Sequence, residues 1–458
     1  MPVASSRRIL CSMEDPLDPQ RPTNAFGLLA PGMAALVARR ILETKGDGMS
    51  ATHAQLGDSA GPESVQSRAA PRPDTAPDVL IVGAGPAGLA AAAQVGRRGM
   101  RALVLERGES VAMSWRQRYD RLRLNTSRWT SNLPHSRYAK SAGLFPSRES
   151  VIAYLEEYAA RNEVEIRFGT AVERVDPADH GWTLTTSTGP VTAPHLIIAT
   201  GHQHTPLIPA WPGRERFKGR LLHSAEYRNP REFHGADVLV VGPGCSGMEI
   251  AYDLADGGAG RVRLAIRTQP NLILRQAGPV PGDVPATLMY RLPPKIGDRQ
   301  TRVIRRLTIG DLSEHGLVPP QEGIISRSRR EGKAPAILDK AVIEAIKQRR
   351  IEIVAAVDSF DTTGVVLVDE TRLEPGAVIA ATGYTTGLER LVGHLGVLDE
   401  RGVPLVHGGP AVAPALRFIG YEPRPGQIGY VGTEATRAAK QIARELKHSH
   451  REMSHVAG

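Results

Sequence analysis

Asp78-Val79-Leu80-Ile81-Val82-Gly83-Ala84-Gly85-Pro86-Ala87-Gly88-Leu89 is the stretch on which the fold of this 458-residue chain turns. Four consecutive large apolar residues predict a buried strand over Val79–Val82. The glycine series that follows fits G-x-G-x-x-G. Leu89–Gln94 then reads as a helix and Arg101–Glu106 as a second strand. Strand, turn, helix, strand in this order predicts a parallel β-α-β unit. Gly83 would make the tight turn, Gly85 would let backbone approach a pyrophosphate, and Gly88 would let helix and strand pack closely. The helix start would offer unpaired N–H groups and a positive partial charge to phosphate. Glu106, 23 residues after Gly83, stands at the end of the next strand, where a carboxylate accepts hydrogen bonds from a ribose diol. A turn with no ligand is the alternative, and the acid in place argues against it.

The pattern returns 159 residues later as Gly242-Pro243-Gly244-Cys245-Ser246-Gly247. Val238–Val241 is its strand, Gly247–Ala255 its helix and Arg261–Arg267 the next strand. Gly242, Gly244, Ser246 and Gly247 are therefore candidates for a second dinucleotide. The strand-end position holds Arg267-Thr268 instead of an acid, 25 residues after Gly242. Arginine makes forked, charge-assisted hydrogen bonds to phosphate, so Arg267 with Thr268 favours the 2′-phosphate of NADP over NAD. Arg275 is a second, weaker candidate. Cys245 reads as a small packed filler. Two dinucleotide sites in one chain imply electron transfer between a flavin dinucleotide, expected in the first site, and a nicotinamide in the second. The expected cofactors are FAD and NADPH.

Composition sets the outer bounds. Lys+Arg exceed Asp+Glu by 57 − 48 = 9, and residues 291–350 supply +7 of that, with 14 basic and 7 acidic side chains. Such a segment attracts nucleic acid, a membrane surface or an anionic small ligand. No nucleic-acid-binding motif accompanies it, so a phosphate-bearing ligand beside a solvated basic face is the simpler expectation. Two cysteines, Cys11 and Cys245, exclude a disulfide scaffold and a cysteine-rich metal site, and no metal is expected. The apolar run Leu28–Ala38 is interrupted by Pro31 and Gly32 and is too short for a membrane span. Glu14, Asp15 and Asp18 argue against a secretory leader. A cytoplasmic protein is expected.

Residues 1–77 are rich in Ala, Pro, Ser and Gly and are expected to be a disordered extension. Within it, 27–43 has the pattern of a short amphipathic helix, and Met49 is an alternative start. The fold class is α/β, with two Rossmann-like units. An FAD domain of residues 78–210 and 376–458 would carry an inserted NADPH domain of residues 211–375. Leu196–Gly201 and Val378–Gly383 are two further strand-and-turn elements. Leu416–Ile419 reads as a strand and 429–447 as a final helix, while 277–335 has no clear assignment.

Phe217-Lys218-Gly219-Arg220-Leu221-Leu222-His223-Ser224-Ala225-Glu226-Tyr227 lies between the two glycine motifs. It resembles the F-x-G-x-x-x-H-x-x-x-W/Y/F signature of class B flavoprotein monooxygenases. The chain from about Asp78 to Lys447 is similar to the flavin-containing monooxygenases, above all their YUCCA-like branch. Trp115, Tyr119-Asp120, Ala199-Thr200-Gly201, Gly332-Lys333-Ala334-Pro335 and Ala381-Thr382-Gly383-Tyr384 support the likeness. The resemblance implies that NADPH reduces FAD and that dioxygen adds to the flavin as a C4a-hydroperoxide. One oxygen atom then passes to a small organic substrate. It also implies that Asn125, in Leu124-Asn125-Thr126-Ser127, hydrogen-bonds near the flavin, although plant YUCCA enzymes lack asparagine there. An Asn capping a turn is the bland alternative. Trp115 would stack on cofactor or serve the core. Phe217, Gly219, His223 and Tyr227 carry the signature, with His223 conformational and not a base.

Baeyer–Villiger enzymes share the class, but they prefer Trp where this chain has Tyr227, and their P-G-x-x-x-D stretch is missing here. Disulfide reductases need a thiol pair that is absent. An FAD-containing NADPH reductase that passes electrons to another acceptor remains the main rival, and a non-enzymatic flavoprotein sensor is a third reading. A small-molecule substrate and dioxygen are the expected partners, with a homodimer compatible and no nucleic acid or membrane span.

Overall fold

The computed structural model describes residues 76–456 apart from Lys333 and Pro423. The N-terminal extension up to Thr75, with its 27–43 segment, Met49 and Cys11, lies outside the described residues, as does Lys333 of the Gly332–Pro335 stretch.

The first apolar run forms β1 (Val79–Val82), buried at all four positions. It leads into α1 (Pro86–Gly96) and β2 (Ala102–Leu105). Pro86 occupies the first turn of α1, where its missing N–H loses nothing. Next come α2 (Arg148–Arg161), N-capped by the Ser147 side chain, and β3 (His195–Ile198). β1 lies between β2 and β3, parallel to both.

The chain then crosses to a second sheet through β4 (Arg220–His223). There β5 (Asp237–Val241), α3 (Cys245–Asp256) and β6 (Arg261–Ala265) repeat the first unit. Three helices follow, α4 (Asp283–Met289), α5 (Pro294–Thr308) and α6 (Ile324–Glu331). After α7 (Lys340–Lys347), β7 (Glu352–Val354) and β8 (Ala377–Ala380) complete the sheet. Its order is β7-β6-β5-β8-β4, parallel throughout. Finally β9 (Leu416–Phe418) returns beside β3 in the first sheet, and the chain runs into α8 (Gln427–Val456).

The expected α/β architecture, with one Rossmann-like unit inserted into the other, is present. One boundary differs. The division placed at 375/376 cuts off β8, which pairs with β5 and β4 in the second sheet. Val378–Gly383 mirrors Leu196–Gly201 in sequence because each is the strand beside a glycine turn. Pairing partners are not written in such a run, so its sheet could not be read from it. The unassigned 277–335 region contains α4, α5 and α6, and Pro285, Pro293 and Pro294 near the first turns of α4 and α5 obscure the patterns of those two.

Each unit has its own core. In the first, α1 buries Ala90, Ala91, Ala92 and Ala93, and α8 brings Ala435, Ala438 and Ala439 to the same cluster. Small residues on both helices permit the close approach that seats α1 against the sheet. A larger alanine-to-leucine change there would overpack a space already filled.

Candidate functional site

The two glycine turns share one design. Gly83 has φ +105°, and a Cβ there would stand 2.9 Å from the Ala199 carbonyl oxygen, just past the end of β3. Gly88 lies against the turn, where a Cβ would come within 1.8 Å of Gly83 O. Gly85, in contrast, has nothing within 4 Å of its Cβ position and starts α1 without a side-chain cap. Steric demand thus explains two glycines, and open space surrounds the third. That space faces the uncapped N–H groups of α1, which makes it a fitting cradle for a pyrophosphate. In the second unit Gly242 has φ +116°, and its Cβ would lie 2.5 Å from Ala381 O. A Cβ on Gly247 would meet Gly242 O at 1.8 Å, while Gly244 again has nothing within 4 Å and α3 has no side-chain cap.

Glu106 is buried beneath the first cradle. Its Oε2 accepts the Ala84 N–H and its Oε1 the Gly108 N–H, both at 2.8 Å. Each oxygen retains a lone pair for a ribose hydroxyl. Trp115 sits on the one-turn helix Met113–Arg116 and packs, half-buried, against the first core. Ser246 lies in the first turn of α3. Arg267 and Thr268 are exposed just past β6, where a cation can meet a phosphate in solvent.

Arg275 is not a second phosphate ligand. It is 3% exposed. Its guanidinium donates to Glu249 on α3, lies 3.2 Å from Asp339, and donates through Nη2 to Asn125 Oδ1 at 3.1 Å. The second oxygen of Glu249 accepts the buried Tyr119 hydroxyl. Burial pushes the Glu249 carboxyl above its ordinary range, although the adjacent Arg275 opposes that. A few residues downstream, Asp283 of α4 accepts the Ser127 N–H at 3.1 Å and its hydroxyl at 2.8 Å, together with the Thr130 hydroxyl. The Asn125–Thr130 loop of the first unit is therefore gripped at both ends by the segment that follows β6. Sequence reasoning singled out Asn125 and named Tyr119 only within a supporting stretch; it missed the pairing of Tyr119 with Glu249, Glu249 itself, Asp283 and the true role of Arg275. Their partners are 130, 26, 156 and 150 residues apart, and no local pattern encodes such pairings.

The linker signature is built from five contacts. The Phe217 ring meets Phe360 edge-on at 5.1 Å between centroids. It also lies over Gly219, where a Cβ would be 2.3 Å from the ring. His223 is 1% exposed. Its Nδ1 accepts the Ala225 N–H at 3.0 Å, which leaves Nε2–H to donate to Gly383 O at 3.0 Å. Burial holds the ring below its usual pKa, in the neutral form. Tyr227 donates to Asp253 Oδ2 at 2.7 Å. Cys245 Sγ accepts the Ile337 N–H at 3.3 Å, and burial pushes its pKa up to about 11, so it is not a poised thiolate.

Residues 80–275 match the family described as pyridine nucleotide-disulphide oxidoreductase. The chain is 36% identical over 330 residues to an indole-3-pyruvate monooxygenase, YUCCA1, of Oryza sativa subsp. japonica, covering 71% of this chain and 81% of the relative. It is 32% identical over 332 residues to a probable indole-3-pyruvate monooxygenase, YUCCA4, of Arabidopsis thaliana, covering 72% and 80%. Among solved structures, a flavin-containing monooxygenase from Stenotrophomonas maltophilia superposes with TM-score 0.64 at 22% identity, covering 81% of this chain and 99% of that one. An open structure of cyclohexanone monooxygenase gives 0.64 at 16%, covering 82% and 88%.

Proposed function

This chain belongs to the YUCCA-type flavin monooxygenases, enzymes that depend on FAD and NADPH, and from that membership we propose that it oxygenates an aryl-substituted 2-oxo acid of the indole-3-pyruvate kind. Dioxygen is the oxidant. The balanced reaction joins 2-oxo acid, dioxygen, NADPH and a proton. It yields the carboxylic acid one carbon shorter, carbon dioxide, NADP+ and water.

Gly83, Gly85, Gly88, Glu106 and the start of α1 would hold FAD, with Trp115 at its edge. Gly242, Gly244, Ser246 and Gly247 would hold the NADPH pyrophosphate, and Arg267 with Thr268 its 2′-phosphate. Bound FAD supplies the carrier that takes hydride from NADPH and activates oxygen. The chain's own work is orientation and exclusion of water.

The observation that carries the reading is the 36% identity to an indole-3-pyruvate monooxygenase over 71% of the chain, and the orientation of Asn125 adds to it. A guanidinium has donors only, so the amide oxygen must face Arg275. The Asn125 NH2 group is left to donate elsewhere, which suits a residue that steadies developing negative charge. His223 has both ring nitrogens engaged and moves no proton. With Phe217, Gly219 and Tyr227 it fixes β4, the strand by which the chain enters the second unit.

Purified protein reconstituted with FAD is mixed with NADPH, an arylpyruvate and isotopically heavy dioxygen. The arylacetate should form with one heavy oxygen atom. NADPH consumption that no 2-oxo acid stimulates would defeat the substrate assignment.

A further inference from the structure

The basic segment of residues 291–350 is not absorbed by either cofactor site, and α5 lies within it. At 3.6 residues per turn, the exposed residues of α5 separate into two adjoining rows. Ile296, Val303 and Leu307, which are 50%, 53% and 55% exposed, fall within about 40° of one another around the axis. Lys295, Arg299, Arg302 and Arg306, all exposed, form the row beside them. The opposite face is the packed one. It buries Gly297, Asp298 and Thr301, and Asp298 Oδ1 accepts the Ile325 N–H of α6 at 2.7 Å. The rotation of the helix is thus fixed, and its aliphatic seam is held outward. α4, directly upstream, exposes Leu288 as well, at 44%.

We infer that the outward face of α5 docks this enzyme on an anionic lipid bilayer. An exposed aliphatic seam flanked by cations is the pattern of a helix that lies in the membrane interface. The aliphatic side chains enter the headgroup–acyl boundary, and the cationic row meets lipid phosphates. The only carboxylate within α5 is Asp298, which faces inward. A second copy of this chain set two-fold against the face would oppose four cations with four cations. Nucleic acid would engage the cationic row and leave the aliphatic seam in water. The bilayer satisfies both rows. The helix, about 22 Å long, lies along the surface, and no described helix is long and apolar enough to cross a membrane.

The full-length FAD-loaded protein is sedimented with vesicles of phosphatidylcholine alone, and with vesicles that also contain phosphatidylglycerol, at low and high salt. Binding is expected only to the anionic vesicles and should weaken with salt. The triple change Arg299→Glu/Arg302→Glu/Arg306→Glu and, separately, Val303→Ser/Leu307→Ser should each weaken it about tenfold. Unchanged melting temperatures establish that both variants are folded. Four results would each overturn the inference. They are no binding of the parent to anionic vesicles, equal binding to neutral ones, parent-like binding by both variants, and an effect of the variants confined to self-association in a sedimentation-velocity run. Binding to a DNA duplex that needs the arginines but not Val303 and Leu307 would reassign the face to nucleic acid.

Discussion

Arg275 Nη2 and Asn125 Oδ1 lie 3.1 Å apart, and this bond ties the loop proposed to face the flavin to the unit proposed to hold NADPH. The same guanidinium grips Glu249 on the helix that starts at the second glycine cradle. Lysine keeps the charge, but its compact ammonium lacks the planar span by which the guanidinium reaches Asp339 through Nη1 and Glu249 and Asn125 through Nη2. Arg275→Lys should therefore fold and bind FAD, yet release Asn125. The expected outcome is a several-fold fall in product formed per NADPH consumed, with hydrogen peroxide making up the difference and KM for NADPH little changed. Arg275→Met should be worse. It strands a buried carboxylate, at a cost of about 3–5 kcal/mol of stability, which a thermal melt would register. Unaltered coupling in the lysine variant would show that the bond does not orient Asn125.

Gly85 and Gly88 should separate binding from folding. Alanine at 88 places Cβ 1.8 Å from backbone oxygen, so Gly88→Ala should fail to give soluble protein. Alanine at 85 meets nothing in the described structure. Gly85→Ala should melt like the parent apoprotein but bind FAD at least about tenfold more weakly, because the new methyl occupies the phosphate cradle. Flavin fluorescence titration measures this directly. Parent-like FAD affinity in Gly85→Ala would move the pyrophosphate elsewhere.

Much of this arrangement is legible in the sequence, and the limit has a physical origin. Glycine turns, apolar strands and the acid or arginine at a strand end are local patterns, so Val79–Val82, Gly83–Gly88 and Glu106 announce themselves. Helix boundaries were less sharp. The helix read over Leu89–Gln94 begins at Pro86, because the glycine turn merges into its first turn. Pairings across the units leave no such trace. Arg275 looks like any strand-end arginine until Glu249, Asp339 and Asn125 close around it. The sheet to which Ala377–Ala380 belongs is likewise decided by tertiary pairing with β5 and β4 and not by its own residues.

Arg267 should govern the choice of nicotinamide cofactor. It is exposed at the end of β6, as a 2′-phosphate ligand must be. Removing one charge-assisted phosphate contact costs about 1.5–3 kcal/mol. Arg267→Gln should thus raise KM for NADPH about 10- to 100-fold and leave that for NADH within about twofold. Steady-state kinetics with both cofactors test this, and equal losses would remove Arg267 from the phosphate site.

Glu434 gives the structure a calculable pH dependence. It is 1% exposed on α8, with Oε2 accepting the Gly420 N–H at 2.8 Å and Oε1 lacking a partner among the described residues. His407 and Glu422 face it, and Arg424 and Arg437 lie close enough to oppose the effect of burial. Burial nevertheless pushes its carboxyl from 4.5 to about 7. The native state therefore holds a proton that the unfolded chain releases, and stability falls as pH rises between those two values. Below about pH 4.5 both states are protonated and this contribution vanishes, whereas above about 7 the full penalty, about 3 kcal/mol, applies. Glu434→Gln retains an acceptor for Gly420 and removes the titration. Its apoprotein should match the parent near pH 4.5 and melt several degrees higher at pH 8. Parallel melting curves for the two proteins across pH 5–8 would mean that Glu434 is charged throughout, held by its neighbouring arginines.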